Sequence, residues 1–233
     1  MKYIQKGNEP SSLEKYRKSL SPGTQKAYDN FPNKDVLREI LLEEQGYICC
    51  YCMKRISNEL VEVKGKYQYK TRIEHWAPRE IYNGQNGKPD LRLNYRNLMA
   101  ACDGNQGQPK HLYCCDKSKG SQEIKINPTQ SICEDQFYFS PTGEITSEEK
   151  NIKQELNDIL RLNIQIHRNN RKAALNKALQ QLQPFSPSSQ LAPRIQKVID
   201  QLSRRDEMGQ HEPYFAYAIY FLRKRLETLR ENS

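Results

Sequence analysis

Arg72-Ile73-Glu74-His75-Trp76-Ala77-Pro78 is the stretch that decides how this chain is interpreted, because it sets a carboxylate beside an imidazole. Residues 66–76 are rich in β-branched and aromatic side chains with partial alternation, which predicts one strand. Glu74 and His75 would then lie at the end of that strand. On its own, a Glu-His dipeptide more often belongs to a strand in which the histidine is simply packed. The flanking sequence therefore decides whether Glu74 and His75 are catalytic.

Cysteine pairs lie on both sides of this stretch. Cys49 and Cys52 form a CxxC turn upstream, and Cys102 and Cys115 lie downstream. A CxxC turn lets two thiolates reach one tetrahedral ion, and four thiolates complete the ligand set of a structural Zn²⁺. The competing interpretation is that these cysteines are small buried hydrophobic residues. The close spacings around residues 74–75 favour the zinc site.

The identity of the second ligand pair stays open on spacing alone. Cys114 adjoins Cys115, and His111 is near enough to replace a cysteine. We expect Cys50, Cys114 and Cys133 to be spare thiols packed in the interior. Seven cysteines, an odd number within the first 133 residues, fit metal ligation in a reducing compartment better than disulfides.

Composition limits the class of protein. The 233 residues carry 37 Lys+Arg against 28 Asp+Glu, a net charge of +9, which suits a polyanionic partner such as nucleic acid. Hydrophobic residues make up only 36% of the chain, but periodic Leu and Ile runs and 14 tyrosines argue against disorder. The start of the chain lacks the apolar region of a signal peptide, and no apolar run approaches the ~20 residues of a membrane span. We therefore expect a cytoplasmic protein.

The fold class predicted is α+β, with a zinc-stapled core between an N-terminal arm and a helical C-terminal domain. The expected boundaries are 1–32 for the arm, 33–146 for the core domain and 147–233 for the helices. Proline and glycine punctuate the arm, which should contain at most short structure and wrap on the core.

Within the core domain, apolar residues at helical spacing predict a helix at 33–45, with Asn33 as its N-cap and Gly46 at its end. A short helix should start near Asp116 and end at Gly120. Residues 137–146, centred on Pro-Thr-Gly, predict a small hairpin.

Beyond Ser147 the apolar periodicity is helical. A first helical stretch should continue as far as Pro184, and residues 184–189 (Pro-Phe-Ser-Pro-Ser-Ser) predict a linker or turn. Two further helices are expected, one around Ile195–Leu202 and a last one at Tyr214–Leu229.

Hydrolysis of a phosphodiester is the chemistry that these residue types suit best. It needs an activated nucleophile and stabilisation of the phosphate and leaving-group charge. His75 could act as the general base that deprotonates water, and Glu74 could bind a divalent cation, Mg²⁺ or Mn²⁺, with Asp116 as the second carboxylate.

The same residues resemble the motif of the HNH, or ββα-metal, endonucleases that carry a zinc-stapled core. In this resemblance Cys49 and Cys52 match the first cysteine pair, Glu74-His75 the acidic-His step and Asn97 the central asparagine. The second pair is matched by Cys102 and Cys115, and Asp116 takes the third catalytic position. The resemblance implies that Asn97 orients the loop supporting His75 and does not touch the metal. The chain departs from the family in that residues 103–114 split the second cysteine pair, where most members have two residues.

A narrower resemblance covers nearly the whole chain and is strongest in residues 1–128. Gln45-Gly-Tyr-Ile-Cys-Cys-Tyr-Cys, Ile73-Glu-His-Trp, Cys102-Asp-Gly-Asn and Cys-Asp-x-x-Lys-Gly, with a helical tail, resemble the PtuB-type HNH nuclease subunits of Septu anti-phage systems, which also occur with some retrons. This resemblance implies a PtuA-like ATPase as partner.

Basic residues in the helical tail could contact nucleic acid through phosphates. The predicted contacts there are Arg168, Arg171 and Lys172, although such a set is more often a solvated helix face. Lys119 of the core domain is a further predicted contact, with an ordinary solvated helix charge as the alternative. The aromatic residues at 214–221 have helical spacing and are expected in the core or at a partner-docking face.

The function predicted is therefore a metal-dependent HNH endonuclease in anti-phage defence, with DNA favoured as substrate. One alternative is an RNA (tRNA) endonuclease of a retron-linked defence system. Another, from a different class, is a non-catalytic zinc-stapled module that binds nucleic acid or acts as an adaptor.

Overall fold

The computed structural model describes residues 1–63, 65–182 and 188–231. Its elements are seven helices and six strands in three two-stranded antiparallel sheets within those ranges. The helices are α1 (Ser11–Ser19), α2 (Lys34–Glu44), α3 (Cys115–Lys119), α4 (Lys150–Gln154), α5 (Gln165–Gln180), α6 (Ser188–Ser203) and α7 (Phe215–Glu231). The strands are β1 (Leu60–Val63), β2 (Lys66–Tyr69), β3 (Thr71–His75), β4 (Leu98–Cys102), β5 (Tyr138–Phe139) and β6 (Ile145–Thr146). This mixture of helices and small sheets, with a helical C-terminal part, agrees with the predicted α+β class.

The N-terminal arm wraps on the core as predicted, and its structure is limited to α1. Met1, Ile4, Leu13 and Phe31 are buried in the same apolar cluster as Leu41 of α2. A backbone hydrogen bond from the amide of Ile4 to the carbonyl of Pro128, 2.7 Å long, fixes the first residues to the core.

The helix predicted at 33–45 is confirmed as α2. Its apolar face, with Leu37, Leu41 and Leu42 all at most 1% exposed, packs into the core. Asn33 occupies the N-cap position, but its side chain makes no capping hydrogen bond, so that detail of the prediction is wrong. Gly46 follows the helix with φ +62°, and a Cβ there would lie 2.5 Å from the ring of His211. Both constraints favour glycine.

The single strand predicted at 66–76 is wrong, because the chain forms two strands that break at Lys70. β2 pairs with β1, whereas β3 pairs with β4. The amide of Lys70 donates to the carbonyl of Glu59, which closes the β1–β2 hairpin before β3 begins. The alternation of side-chain character continues through both strands, so the sequence pattern cannot reveal that the pairing partner changes.

The predicted small hairpin is confirmed as β5–β6, and the short helix ending at Gly120 is confirmed as α3. In the C-terminal part, α4 passes into one π-helical turn at Glu155–Ile159 and the chain then turns at Arg161, where φ is +50°. The predicted linker falls mostly outside the described residues, and its last two positions already belong to α6.

Two apolar clusters hold the elements together. The first contains residues of the arm, of α2 and β4, and also Leu156, Leu160 and Tyr217 of the C-terminal part. The second joins α5, α6 and α7 to Ile48 and Met53 beside the CxxC turn. The boundaries 1–32, 33–146 and 147–233 remain predictions. Among the described residues, no helix combines the length and apolarity that crossing a membrane requires.

Candidate active site and metal site

An antiparallel strand pair followed by a short helix carries the predicted site residues. In the β3–β4 pair, Glu74 lies opposite Met99 and His75 opposite Leu98. α3 packs against β4 and begins at Cys115, so Asp116 lies in its first turn. The hairpin therefore presents the Glu-His step, and the helix supplies the second carboxylate.

Four cysteine side chains converge at one end of this arrangement. The sulfur atoms of Cys49, Cys52, Cys102 and Cys115 all lie within 4.8 Å of one another, and all four residues are buried. Tetrahedral Zn–S bonds of 2.3 Å place sulfurs about 3.8 Å apart, and the sulfurs of Cys52 and Cys102 are 3.9 Å apart. The cluster can hold a metal ion and is compatible with zinc.

The turn at the first pair is held by its backbone. The amide of Cys49 donates to the carbonyl of Lys54, and the amide of Met53 donates to the carbonyl of Cys49. The amide of Lys54 also points at Cys52 Sγ, 3.5 Å away. Met53 takes φ +65°, which closes the turn tightly enough for both sulfurs to face one point.

The structure places the alternative ligands of the second pair differently. The side chain of His111 is exposed and lies outside the cysteine cluster, whereas Cys114 is buried beside it. Cys114 Sγ lies 3.3 Å from Nε2 of His167 on α5, and the two form a smaller potential ligand group with Cys115. Cys50 and Cys133 are buried outside both groups, as expected for spare thiols.

His75 is held in one orientation on β3. Its Nε2 donates to the backbone carbonyl of Arg92 over 3.0 Å, so Nδ1 carries the free lone pair. The ring of Tyr28 meets the imidazole edge-on with centroids 4.5 Å apart. Burial lowers the pKa of His75 to about 3, so the ring is neutral at pH 7. A neutral imidazole with one oriented free nitrogen has the geometry of a proton acceptor, while the burial that lowers its pKa also weakens it as a base.

Asn97 joins the loop between the two strands. Its side-chain oxygen accepts from the amide of Ala77 over 2.7 Å, and its amide nitrogen donates to the carbonyls of Ala77 and Leu91 over 3.0 Å each. The carbonyl of Asn97 accepts from the amide of Trp76. Asn97 thus fixes the segment that carries the Arg92 carbonyl, and through it the ring of His75.

Glu74 lies at the centre of a buried polar network. Its Oε1 accepts from the hydroxyl of Tyr51 and from Nζ of Lys119, each over 2.8 Å. Burial and then a hydrogen bond with the Asp116 carboxyl raise the pKa of Glu74 to about 8, and the ammonium of Lys119 acts in the opposite direction. Two carboxyl groups this close, with the Lys119 ammonium beside them, form a donor set that fits a hard divalent cation.

These groups open into a cleft of about 490 Å³. Its wall includes Glu74, His75 and Asp116 together with three arginines, Arg38, Arg72 and Arg79. A cleft that carries carboxylates for a cation and guanidinium groups for an anion can accommodate a phosphodiester.

The predicted nucleic-acid contacts are not brought together. Lys119 is 1% exposed and is bonded to Glu74 and to the His75 carbonyl, so its assignment as a contact is wrong. The assignment of Arg171 is also wrong, because that residue is 2% exposed and donates to the Gly143 carbonyl inside the core. Arg168 pairs with Glu144, and Lys172 is exposed. Predictions at these last two positions remain untested.

Sequence reasoning missed three residues of the site. Tyr28 reaches His75 from the N-terminal arm, Arg92 supplies the carbonyl for Nε2, and Tyr51 donates to Glu74 from inside the CxxC turn. Tyr51 had a local signal, since it lies between the two cysteines of a metal-binding turn. Tyr28 and Arg92 act through tertiary contacts that no local pattern encodes.

Comparison with known proteins gives one informative likeness. The chain is 28% identical over 166 residues to the protein named "Retron Vc95 putative HNH endonuclease" from Vibrio cholerae serotype O1 biovar El Tor, a match covering 67% of this chain and 73% of the relative. No protein-family model matches the chain.

Proposed function

We propose that this chain is a metal-dependent HNH-type endonuclease. The observation that carries the proposal is the orientation of His75, whose Nε2 is bound to the Arg92 carbonyl while Nδ1 remains free, in a cleft that is also lined by the paired carboxyl groups of Glu74 and Asp116. The likeness to a relative named as an HNH endonuclease supports a nuclease function and a retron context.

In the proposed reaction His75 Nδ1 takes a proton from a water molecule, whose oxygen attacks the phosphorus. The bond from phosphorus to the leaving oxygen breaks, and that oxygen takes a proton from solvent. Glu74 and Asp116 would hold Mg²⁺ or Mn²⁺, which when bound stabilises negative charge on the phosphate and the leaving group. Asn97 and Arg92 position His75 and do not touch the reacting atoms.

The four clustered cysteines would bind one structural Zn²⁺ in this proposal. Its role is to fix the CxxC turn, the end of β4 and the start of α3 in the positions that assemble an HNH core. The motif resemblance further supports a role in anti-phage defence in the cytoplasm, with a PtuA-like ATPase as partner and DNA as the favoured substrate.

A cleavage assay tests the function. Wild-type chain and His75→Ala are incubated with DNA and with total RNA, each with Mg²⁺, Mn²⁺ or EDTA, alone and with an ATPase encoded beside the gene. We expect metal-dependent cleavage by the wild type and a loss of about 10²- to 10⁴-fold in His75→Ala, with zinc content and melting temperature unchanged. His111→Ala, which removes an exposed histidine outside the cysteine cluster, is the matched control.

The outcomes separate the alternatives. If RNA is cleaved and DNA is not, the substrate is RNA. Equal cleavage by wild type and His75→Ala would remove His75 as the base. Binding without cleavage under every condition would favour a non-catalytic zinc-stapled binding or adaptor module.

A further inference from the structure

Arg72 occupies a special place in the cleft. It lies two residues before Glu74 on β3, so both side chains project from the same face of the strand, and both line the cleft. Its Nη2 donates to Oε1 of Gln68 over 2.7 Å and to Oε1 of Gln106 over 2.9 Å. Three segments therefore fix this guanidinium: β2, β3 and the loop after β4.

The charge of Arg72 is not neutralised by its partners, because both are neutral amides. Arg38 pairs with Asp35 at 2.9 Å, and Arg79 pairs with Asp29 at 2.6 Å. Within the described ranges, no carboxylate lies at ion-pair distance from Arg72. An arginine held by amides keeps its full charge and a defined direction.

The guanidinium also retains donors. Arginine has five N–H groups, and the two on Nη2 are taken by the glutamines. The N–H groups of Nε and Nη1 have no hydrogen-bond partner among the described residues. Oriented donors on an uncompensated cation are what phosphate oxygens recognise.

We propose that Arg72, oriented by Gln68 and Gln106, binds a backbone phosphate that flanks the scissile one. Alternate residues of a strand are about 7 Å apart, a separation comparable to that of consecutive phosphates along one nucleic-acid strand. A strand whose scissile phosphate lies at Glu74 and His75 thus presents its neighbouring phosphate to Arg72. The proposal rests on the proposed nuclease function, which it extends to the path of the substrate.

Binding by a cleavage-deficient chain tests the site. His75→Ala serves as the background, and dissociation constants are measured for labelled single-stranded and duplex oligonucleotides over a series of salt concentrations. Adding Arg72→Gln should weaken binding about tenfold. It should also reduce the slope of log K against log salt by about 0.7 for single strands or 0.9 for duplex, the loss of one phosphate contact.

Three further variants make the result specific. Arg225→Gln removes the same charge from an exposed position on α7 outside the cleft. It should leave the dissociation constant unchanged and alter the salt slope only slightly. Arg72→Lys keeps the charge but loses the geometry, so affinity should fall with the slope retained. Gln68→Ala should weaken binding less than Arg72→Gln does.

The proposal is overturned if Arg72→Gln and Arg225→Gln behave alike while melting temperatures stay equal, or if the background chain binds neither oligonucleotide at low salt. Failure of the nuclease function looks different. In that case the wild type does not cleave, whereas binding still depends on Arg72.

Discussion

The cysteine cluster and the cleft both gather groups that can become anionic in the interior, but the chain treats them differently. In the cleft, Lys119 supplies an ammonium to Glu74 at 2.8 Å. Among the described residues, no ion pair or side-chain hydrogen bond joins a Lys or Arg to the four cluster sulfurs. Buried charge needs a partner. From this comparison we expect the cleft to persist without the proposed divalent cation, whereas the cysteine cluster should depend on the proposed zinc.

The largest expected effect comes from taking metal away from the cysteine cluster. Cys102→Ser, or removal of zinc by a strong chelator, should lower the free energy of unfolding by at least about 5 kcal/mol, because metal binding at such a site is part of folding. Zinc content and denaturant unfolding measure it. Cys133→Ser, a buried thiol outside the cluster, should keep the zinc and cost about 1 kcal/mol. A stable, metal-free Cys102→Ser chain would contradict the expected dependence of the cysteine cluster on metal.

The next effect belongs to the cleft and involves no metal. Asn97→Ala removes the partners of the Ala77 amide and of the Ala77 and Leu91 carbonyls. We expect a loss of about 3 kcal/mol and slower cleavage, since the Arg92 carbonyl loses its anchor. Zinc content should not change. Asn94→Ala, an exposed residue of the same turn, should cost about 0.5 kcal/mol and leave cleavage intact.

Lys119→Met tests whether the Lys119 ammonium stabilises the cleft in place of a divalent metal cation. The change leaves the His75 carbonyl without a donor and leaves Glu74 Oε1 with the Tyr51 hydroxyl as its remaining donor, which should cost about 2 kcal/mol in metal-free buffer. Saturating Mg²⁺ should recover part of that loss. Lys117→Met, an exposed residue on the same short helix, provides the baseline. Equal unfolding midpoints for the two variants would contradict this role of Lys119.

The smallest expected effect is a pH dependence next to the CxxC turn. Burial, and next the charge of Arg205, lower the pKa of His211 from 6.5 to about 4. Its contribution to the free energy of unfolding is therefore complete above pH 6.5 and is lost as the pH falls towards 4. The expected loss is about 1 kcal/mol, because water screens the charge on the half-buried ring. His211→Gln should flatten that part of the profile. Parallel profiles for the two chains would show that His211 does not titrate on unfolding.

Local patterns predicted much of this molecule. The α2 bounds, the small hairpin and the short α3 follow from periodicity and turn residues, which act over a few residues. The choice of Cys102 and Cys115 as partners of the CxxC pair rests on the family resemblance, and the four sulfurs do converge. The predicted Glu74, His75 and Asp116 do line one cleft. Their catalytic roles remain predictions.

The errors have a common physical origin in tertiary contacts. The break at Lys70 depends on which strand β2 pairs with, and the burial of Lys119 and Arg171 depends on elements packed over them. A lysine or arginine on a helix looks solvated in sequence, because its buried carbonyl or carboxylate partner is supplied by a distant segment. The edge-on contact of Tyr28 with His75 spans 47 positions for the same reason.

Cys115 and Asp116 begin α3 as consecutive residues, one in the cysteine cluster and the next in the wall of the cleft. Each residue advances an α-helix by about 100°, so inserting a single residue between them would turn Asp116 away from Glu74. The loop at 103–114 joins the end of β4 to the start of α3 and carries contacts of its own, since Gln106 accepts from Arg72 and Cys114 lies beside His167. Its length can change over evolutionary time where those two contacts are kept, whereas the Cys115–Asp116 step admits no insertion.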